Sequence, residues 1–320
     1  MLKTLLLLIV LAGGALASPT YASEYPVRPV RLIVTFPPGG GADILARMVS
    51  KQLSERWGQS VLVDNRGGAD GALGAALAAR SQPDGQTLLM VISTHTVLPS
   101  IKKTPGYDLV RDFAPIVRMA EAPNVVVVNQ ASAVKSIQDL IALAKANPGK
   151  LNYPGSGLGG PAHLAGVLFD QLAGTKLQFI PYTGAGPSLV ALMGGQVDVM
   201  FPAITGALPH VRSGKLRALA ITSEKRSAQF PDLPTVREAL PGFVFVGWYG
   251  LVARTGTPRA IVDKVYTDTA AVLRTTQMTE FLELQGLAPA VLNPAQFADY
   301  LAAELKASAR LAASAGLEKN

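Results

Sequence analysis

Residues 30–53, VRLIVTFPPGGGADILARMVSKQL, join an apolar strand to an amphipathic helix through a glycine-rich bend, and residues 150–174, KLNYPGSGLGGPAHLAGVLFDQLAG, repeat the device. The first turn of a helix carries unsatisfied N–H groups and the positive end of the helix dipole. A strand-to-helix bend free of bulky side chains therefore offers a seat to a carboxylate or phosphate. Two such bends predict two lobes that close on one small anion.

Around the first bend, apolar spacing at Ile44, Met48, Val49 and Leu53 predicts a helix over 42–57 after a strand over 30–35. Further strands are expected over 60–66 and 87–92, with an alanine-rich helix between them that ends at Arg80. Asn124-Val-Val-Val-Val128 opens a second series. It continues with a helix over 137–146, strands over 151–153 and 178–182, a third bend at 183–186, and strands over 198–201 and 218–222. Strands alternating with helices predict α/β lobes, each a mostly parallel sheet flanked by helices. From Trp248 the chain reads as one strand followed by Ala- and Leu-rich helices, too few strands for a third sheet. Those helices are expected to return to the first lobe. The predicted division is residues 23–122 with 226–320 in lobe 1 and residues 123–225 in lobe 2, joined by two crossings that act as a hinge.

The opening MLKTLLLLIVLAGGALAS gives a basic Lys3, an apolar run and small residues at Ala15 and Ala17, the pattern of a cleaved secretory signal over residues 1–22. The run is shorter than the roughly 20 residues that span a bilayer. The expected destination is the periplasm. With no cysteine in 320 residues, disulfides, thiolate metal sites and lipid attachment to a cysteine are excluded. The net charge of +7 is mild, its basic residues are scattered, and aromatics make up only 6%, so no nucleic-acid surface is read.

Candidate site residues follow from the bends. Phe36, Gly39, Gly40, Gly41, Ala42 and Asp43 form the first. Asp43 either orients a water or meets a ligand ammonium, or is an ordinary acid in a first helical turn. Ser156, Gly157 and Gly159 belong to the second, where His163 either bonds across the cleft or is a satisfied core histidine. Tyr182, Gly184 and Ala185 form the third, with Asp198 placed to flank it. Thr94 follows the strand over 87–92, at the strand end that faces a crevice in such sheets. Gly155, Gly157 and Gly160 match GxGxxG, but the next strand ends Phe179-Ile180-Pro181-Tyr182 without the acid a dinucleotide ribose needs. Pro154 and Leu158 around Ser156 break the GxSxG elbow, and Pro161 replaces the lysine of a phosphate-binding loop. Three histidines without ligand spacing give no metal site. Neither a cofactor nor catalysis is expected.

These residues identify a resemblance. FPPGGGAD, VDNRGG, YDLVRDFAPI, ANPGKLNY, GSGLGGPAHLAG, PYTGAGPSLVALMGGQVDVMF and GKLRALAIT, in order, resemble the Bug-type solute-binding receptors, the extracytoplasmic component of tripartite tricarboxylate transporters. The resemblance implies a type II periplasmic-binding fold, monomeric, that takes a small organic acid or amino acid in the cleft between its lobes and delivers it to membrane transporter subunits. An alternative is a sensory protein that presents its ligand to a membrane-bound kinase or receptor. In that family the FPPGG and GSxGxG bends grip a carboxylate through backbone amides. Two departures bear on the ligand: Asp70 adds a negative charge near the cleft, and Thr183 stands where the family has lysine. Both are expected to favour a monocarboxylate or a ligand carrying its own ammonium.

Overall fold

The computed structural model describes residues 25–155, 159–227, 230–317 and 319; the predicted leader and Ser156 and Gly157 lie outside the described residues. The chain first lays down β1 (Val30–Val34), α1 (Gly41–Trp57), β2 (Val61–Asn65), α2 (Ala72–Ala79), β3 (Thr87–Ile92), α3 (Thr94–Ile101) and the long β4 (Phe113–Pro123). A second unit follows. It contains β5 (Val125–Asn129), α4 (Ile137–Ala146), β6 (Asn152–Gly155), α5 (Pro161–Ala173), β7 (Gln178–Pro181) and α6 (Ala185–Met193). It ends with β8 (Val199–Met200), α7 (Ile204–Arg212), β9 (Leu216–Ile221) and the short α8 (Val236–Ala239). The chain then returns as β10 (Val246–Arg254), α9 (Arg259–Leu273), α10 (Thr276–Leu284), β11 (Ala288–Leu292) and α11 (Pro294–Ser314).

One sheet has the order β11-β4-β10-β3-β1-β2 and a second β8-β5-β9, while β6 and β7 pair separately. The expectation of mostly parallel sheets is corrected here. In the first sheet β1 runs parallel to β2 and β3, but β10 is antiparallel to both β3 and β4, and β11 to β4. In the second unit β5 is antiparallel to β8 and β9, and only β6 and β7 are parallel. The reason is the return path: β4 carries the chain out of the first sheet and β10 brings it back alongside. Strands that leave and come back at one place oppose each other.

The crossing is a stitched ribbon. Val246 of β10 sits opposite Pro123 of β4. Just beyond, buried Thr222 accepts from the Asn124 N–H through its hydroxyl oxygen (2.8 Å), donates its own N–H to the Asn124 carbonyl (2.9 Å) and accepts at its carbonyl from the Phe245 N–H (3.0 Å).

Strand periodicity fixes two cores on the two faces of the larger sheet. Leu32, Val34, Leu88, Met90, Tyr249 and Leu251 face α1, α9 and α10, whereas Ile33, Leu89, Val91, Trp248 and Val252 face α2, α3 and α11. In the smaller unit Val126 and Val128 pack on α4 and α5 while Val125 and Val127 pack on α6 and α7. This explains an uninterrupted valine run: both faces are covered. Val236, Leu240 and Phe243, which the sequence division places in lobe 1, pack into the core formed with Val126 and Val128.

Candidate functional site

Helix starts in this fold differ in whether a side chain closes them; α2, α3, α7 and α9, beginning at Gly71, Ser93, Ala203 and Pro258, have no side-chain cap. α4, α8, α10 and α11 begin at Ser136, Thr235, Thr275 and Asn293, each of whose side chains accepts a bond from a first-turn N–H. α1, α5 and α6 begin at Gly40, Gly160 and Gly184, none with a side-chain cap. These three are the helices that follow the three bends, and their first-turn amides are left for another partner.

The first two bends approach elements of the opposite unit. A Cβ placed on Gly41 would lie 2.5 Å from the Tyr249 hydroxyl oxygen and 3.9 Å from Thr205 Oγ1 of α7, so only glycine lets the backbone come this close. Gly159 (φ +76°) packs on Ile101 at the end of α3, where a Cβ would come within 2.6 Å. Tyr249 is 8% exposed, burial raises the pKa of its phenol to about 12, and its hydroxyl makes no hydrogen bond among the described residues. A buried O–H without a protein partner beside uncapped amides is an opening for a ligand oxygen. In the sequence Tyr249 reads only as a core residue of a strand.

The residues singled out by sequence divide into those that form the bends and those that brace them. Phe36, Gly39, Gly40, Gly41 and Ala42 form the first bend as expected, and Thr94 begins α3 half-buried. Asp43 is a brace: its carboxylate accepts from the Gly39 N–H (2.9 Å), Arg47 Nε (3.0 Å) and Asn65 Nδ2 (3.0 Å). Burial works to raise its pKa, but the bonds from Arg47, Gly39 and Asn65 outweigh it and hold the carboxyl below its ordinary range. Asn65 also donates to the Phe36 carbonyl (3.0 Å), so both residues shape the bend.

His163 has the same kind of role. Its Nδ1 accepts from the Gly159 N–H (2.9 Å), its ring lies 4.3 Å from Phe179 and stacks on Tyr153, and burial lowers its pKa, so the neutral ring props the second bend. Tyr182, Gly184 and Ala185 stand at the third bend, tied to the second by the Tyr182 N–H donating to the Gly155 carbonyl (2.8 Å). Asp198 is corrected. It accepts from the Asn152 N–H (2.6 Å) at the start of β6, the end opposite the bend, and does not flank the third bend. Asp70 pairs at the surface with Lys102 (3.2 Å), a cation that partly offsets its charge.

His95, fully buried beneath the first bend, lies 3.1 Å from the Ile92 backbone and 3.3 Å from Thr35 Oγ1, and burial lowers its pKa to about 4. The folded state thus disfavours the imidazolium, which the unfolded chain accepts near pH 6.5. Stability from this residue is present above pH 6.5 and is lost as pH falls from there towards 4, by about 3 kcal/mol in all. Urea titrations at pH 7, 5 and 4 are expected to show this loss in the wild type and its absence in His95→Asn. Parallel pH curves for the two proteins would rule it out.

Comparison with known proteins fits this geometry. A family model described as tripartite tricarboxylate transporter family receptor matches residues 45–317. The chain belongs to that family. The receptor is 36% identical over 301 residues to protein BugT of Bordetella pertussis, covering 93% of this chain and 92% of that protein. Among solved structures it is similar to the periplasmic binding protein BugD (34% identity, TM-score 0.80) and to R. palustris Rpa4515 with adipate (34%, TM-score 0.84), covering 92% of this chain and 100% of each. It is also similar to MatC from Rhodopseudomonas palustris with bound malate (29%, TM-score 0.77), over 90% of this chain and 99% of that one. The receptor thus has the two-lobed periplasmic-binding fold and is a solute-binding receptor of this transporter family.

Proposed function

We propose that the receptor closes its lobes on a small organic acid, holding one carboxylate on the uncapped amides of α1, α5 and α6 and on the Tyr249 hydroxyl. The observation that supports this is that the helix after each of the three bends starts at a glycine without a side-chain cap, close to the Tyr249 hydroxyl in the case of α1. Backbone donors read the carboxylate and leave the rest of the solute to the cleft walls. Adipate and malate, held by two of its structural neighbours, are of this class. Lys102 offsets Asp70, which leaves Thr183 as the remaining charge departure, and both mono- and dicarboxylates fit the reading.

In this reading Ser156 and Gly157 complete the second bend, residues 23–122 with 246–320 make one lobe, and residues 123–245 make the other. The protein acts as a periplasmic monomer after loss of its leader and passes its solute to membrane transporter subunits. It binds without turnover: His163, the base a hydrolase would need beside Ser156, already accepts the Gly159 N–H.

A thermal-shift panel of mono-, di- and tricarboxylates, amino acids and aromatic acids, run on receptor stripped of co-purified solute, tests this. An acid at about 100 times its Kd is expected to add roughly 2.7 kcal/mol to the folded state. A panel in which no acid shifts the transition would remove the carboxylate reading and leave the fold.

A further inference from the structure

A cavity of about 1020 Å³ opens beside the starts of α3 and α5, where Ser93, Thr96 and Pro161 line it; none of the sequence-predicted site residues does. α5 supplies Leu164 and Leu168, α11 supplies Ala307 and Leu311, and Glu121 and Phe245 stand where the chain crosses between units. Its size suits a drug-sized molecule with an apolar body and exceeds what a four- to six-carbon acid fills.

One wall carries an unfinished charge cluster. Arg118 is 6% exposed; its guanidinium lies 4.3 Å over the Tyr300 ring, and one Nη donates to Glu121 (2.7 Å). The other Nη and the Nε have no acceptor among the described residues, the Nε being sealed from solvent. Buried guanidinium N–H groups without acceptors are costly, and a carboxylate is the group that answers their geometry. The acids nearby are partly committed. Glu121 already holds Arg118, and Glu304 accepts from Trp248 Nε1 (3.3 Å) with its pKa raised by burial. At the rim, Glu224 pairs with Arg237 and Arg226 with Glu238. That leaves Lys225 and Arg310, with the exposed Glu283, outside any ion pair among the described residues. Four cations (Arg118, Lys225, Arg226 and Arg310) and four acids (Glu121, Glu224, Glu283 and Glu304) line the cavity, so its formal charge balances, and what sets it apart is the buried Arg118 with one Nη and the Nε unanswered.

We propose that this cavity is a second binding site, taking an amphipathic organic monoanion whose carboxylate meets the free Nη of Arg118 and whose apolar body lies along Leu164, Leu168 and Leu311. The proposal does not rest on the reading given for the cleft.

Decanoate is the probe, titrated calorimetrically into the purified receptor. One saturable site is expected. Ala307→Trp, made on the exposed surface of α11 where it lines the cavity, is expected to fill the space and remove decanoate binding with an unchanged melting temperature. Arg118→Gln is expected to weaken binding tenfold or more. Gly40→Val, which alters the cleft alone, is expected to bind decanoate like the wild type. Absence of saturable binding, undiminished binding by Ala307→Trp, or loss of binding in Gly40→Val overturns the proposal, the last by placing the anion in the cleft.

Discussion

Valine at Gly40 is expected to weaken solute binding by about 100-fold while leaving the receptor nearly as stable as before. Gly40 starts α1 with φ −79° and ψ 164°, extended backbone that any residue adopts. A Cβ there would meet nothing nearer than the Pro37 carbonyl oxygen at 3.8 Å. The protein thus has room for the side chain, and the fold loses less than about 1 kcal/mol from a poorer helix cap. The room is where the carboxylate is proposed to sit, and forcing a branched side chain into an occupied site costs about 1–3 kcal/mol, the upper end being roughly two decades of affinity. The neighbouring Gly41 makes a poorer test, since there a side chain strikes Tyr249 and the fold itself gives way. Calorimetry with the acid found by thermal shift, alongside the melting temperature, decides the matter. Unchanged affinity in a folded variant moves the carboxylate away from the first bend.

Trp248→Ala is expected to cost about 3–5 kcal/mol of folding stability, a large share of the 5–15 kcal/mol typical of folded proteins. Trp248 is 1% exposed on β10, beside the crossing, and packs edge-on against Phe297 (5.6 Å) and Tyr300 (5.7 Å) of α11. Its loss opens a void between the sheet and that helix, and it leaves Glu304 without the indole N–H. Urea unfolding measures the effect; a change below about 1 kcal/mol would mean that α11 collapses onto the space and that its packing is looser than described.

What the sequence disclosed depended on how local the cause was. Residues 137–146 and Thr87–Ile92 are legible to the residue, because Ser136 caps the one and the other lies between turn residues and Ser93. The three bends are legible because glycine runs between a strand and a helix admit few other readings. β4 escaped notice since Pro115, Arg118 and Glu121 interrupt its apolar pattern; its strand character comes from β10 and β11 on either side. α3 was hidden by Pro99, which sits inside that helix. The antiparallel pairings lie beyond any local pattern, as they follow from where a returning chain inserts. At the site, a sequence gives the type of Asp43, His163 and Asp198 but not the backbone amides that each of them accepts from within the fold. Tyr249 has the opposite history: an apolar strand concealed a hydroxyl that only the approach of Gly41 reveals.

The Thr222 stitch between the crossing segments has a mechanical meaning. Two neighbouring strands tied to each other by backbone and hydroxyl bonds resist shear and twist and yield most readily to bending about one axis. Motion of that kind turns the length of whatever lies between the lobes into an angle between them. Whatever docks on the closed receptor is then presented with the relative tilt of two surfaces, a geometric report on the cargo that requires no contact with it.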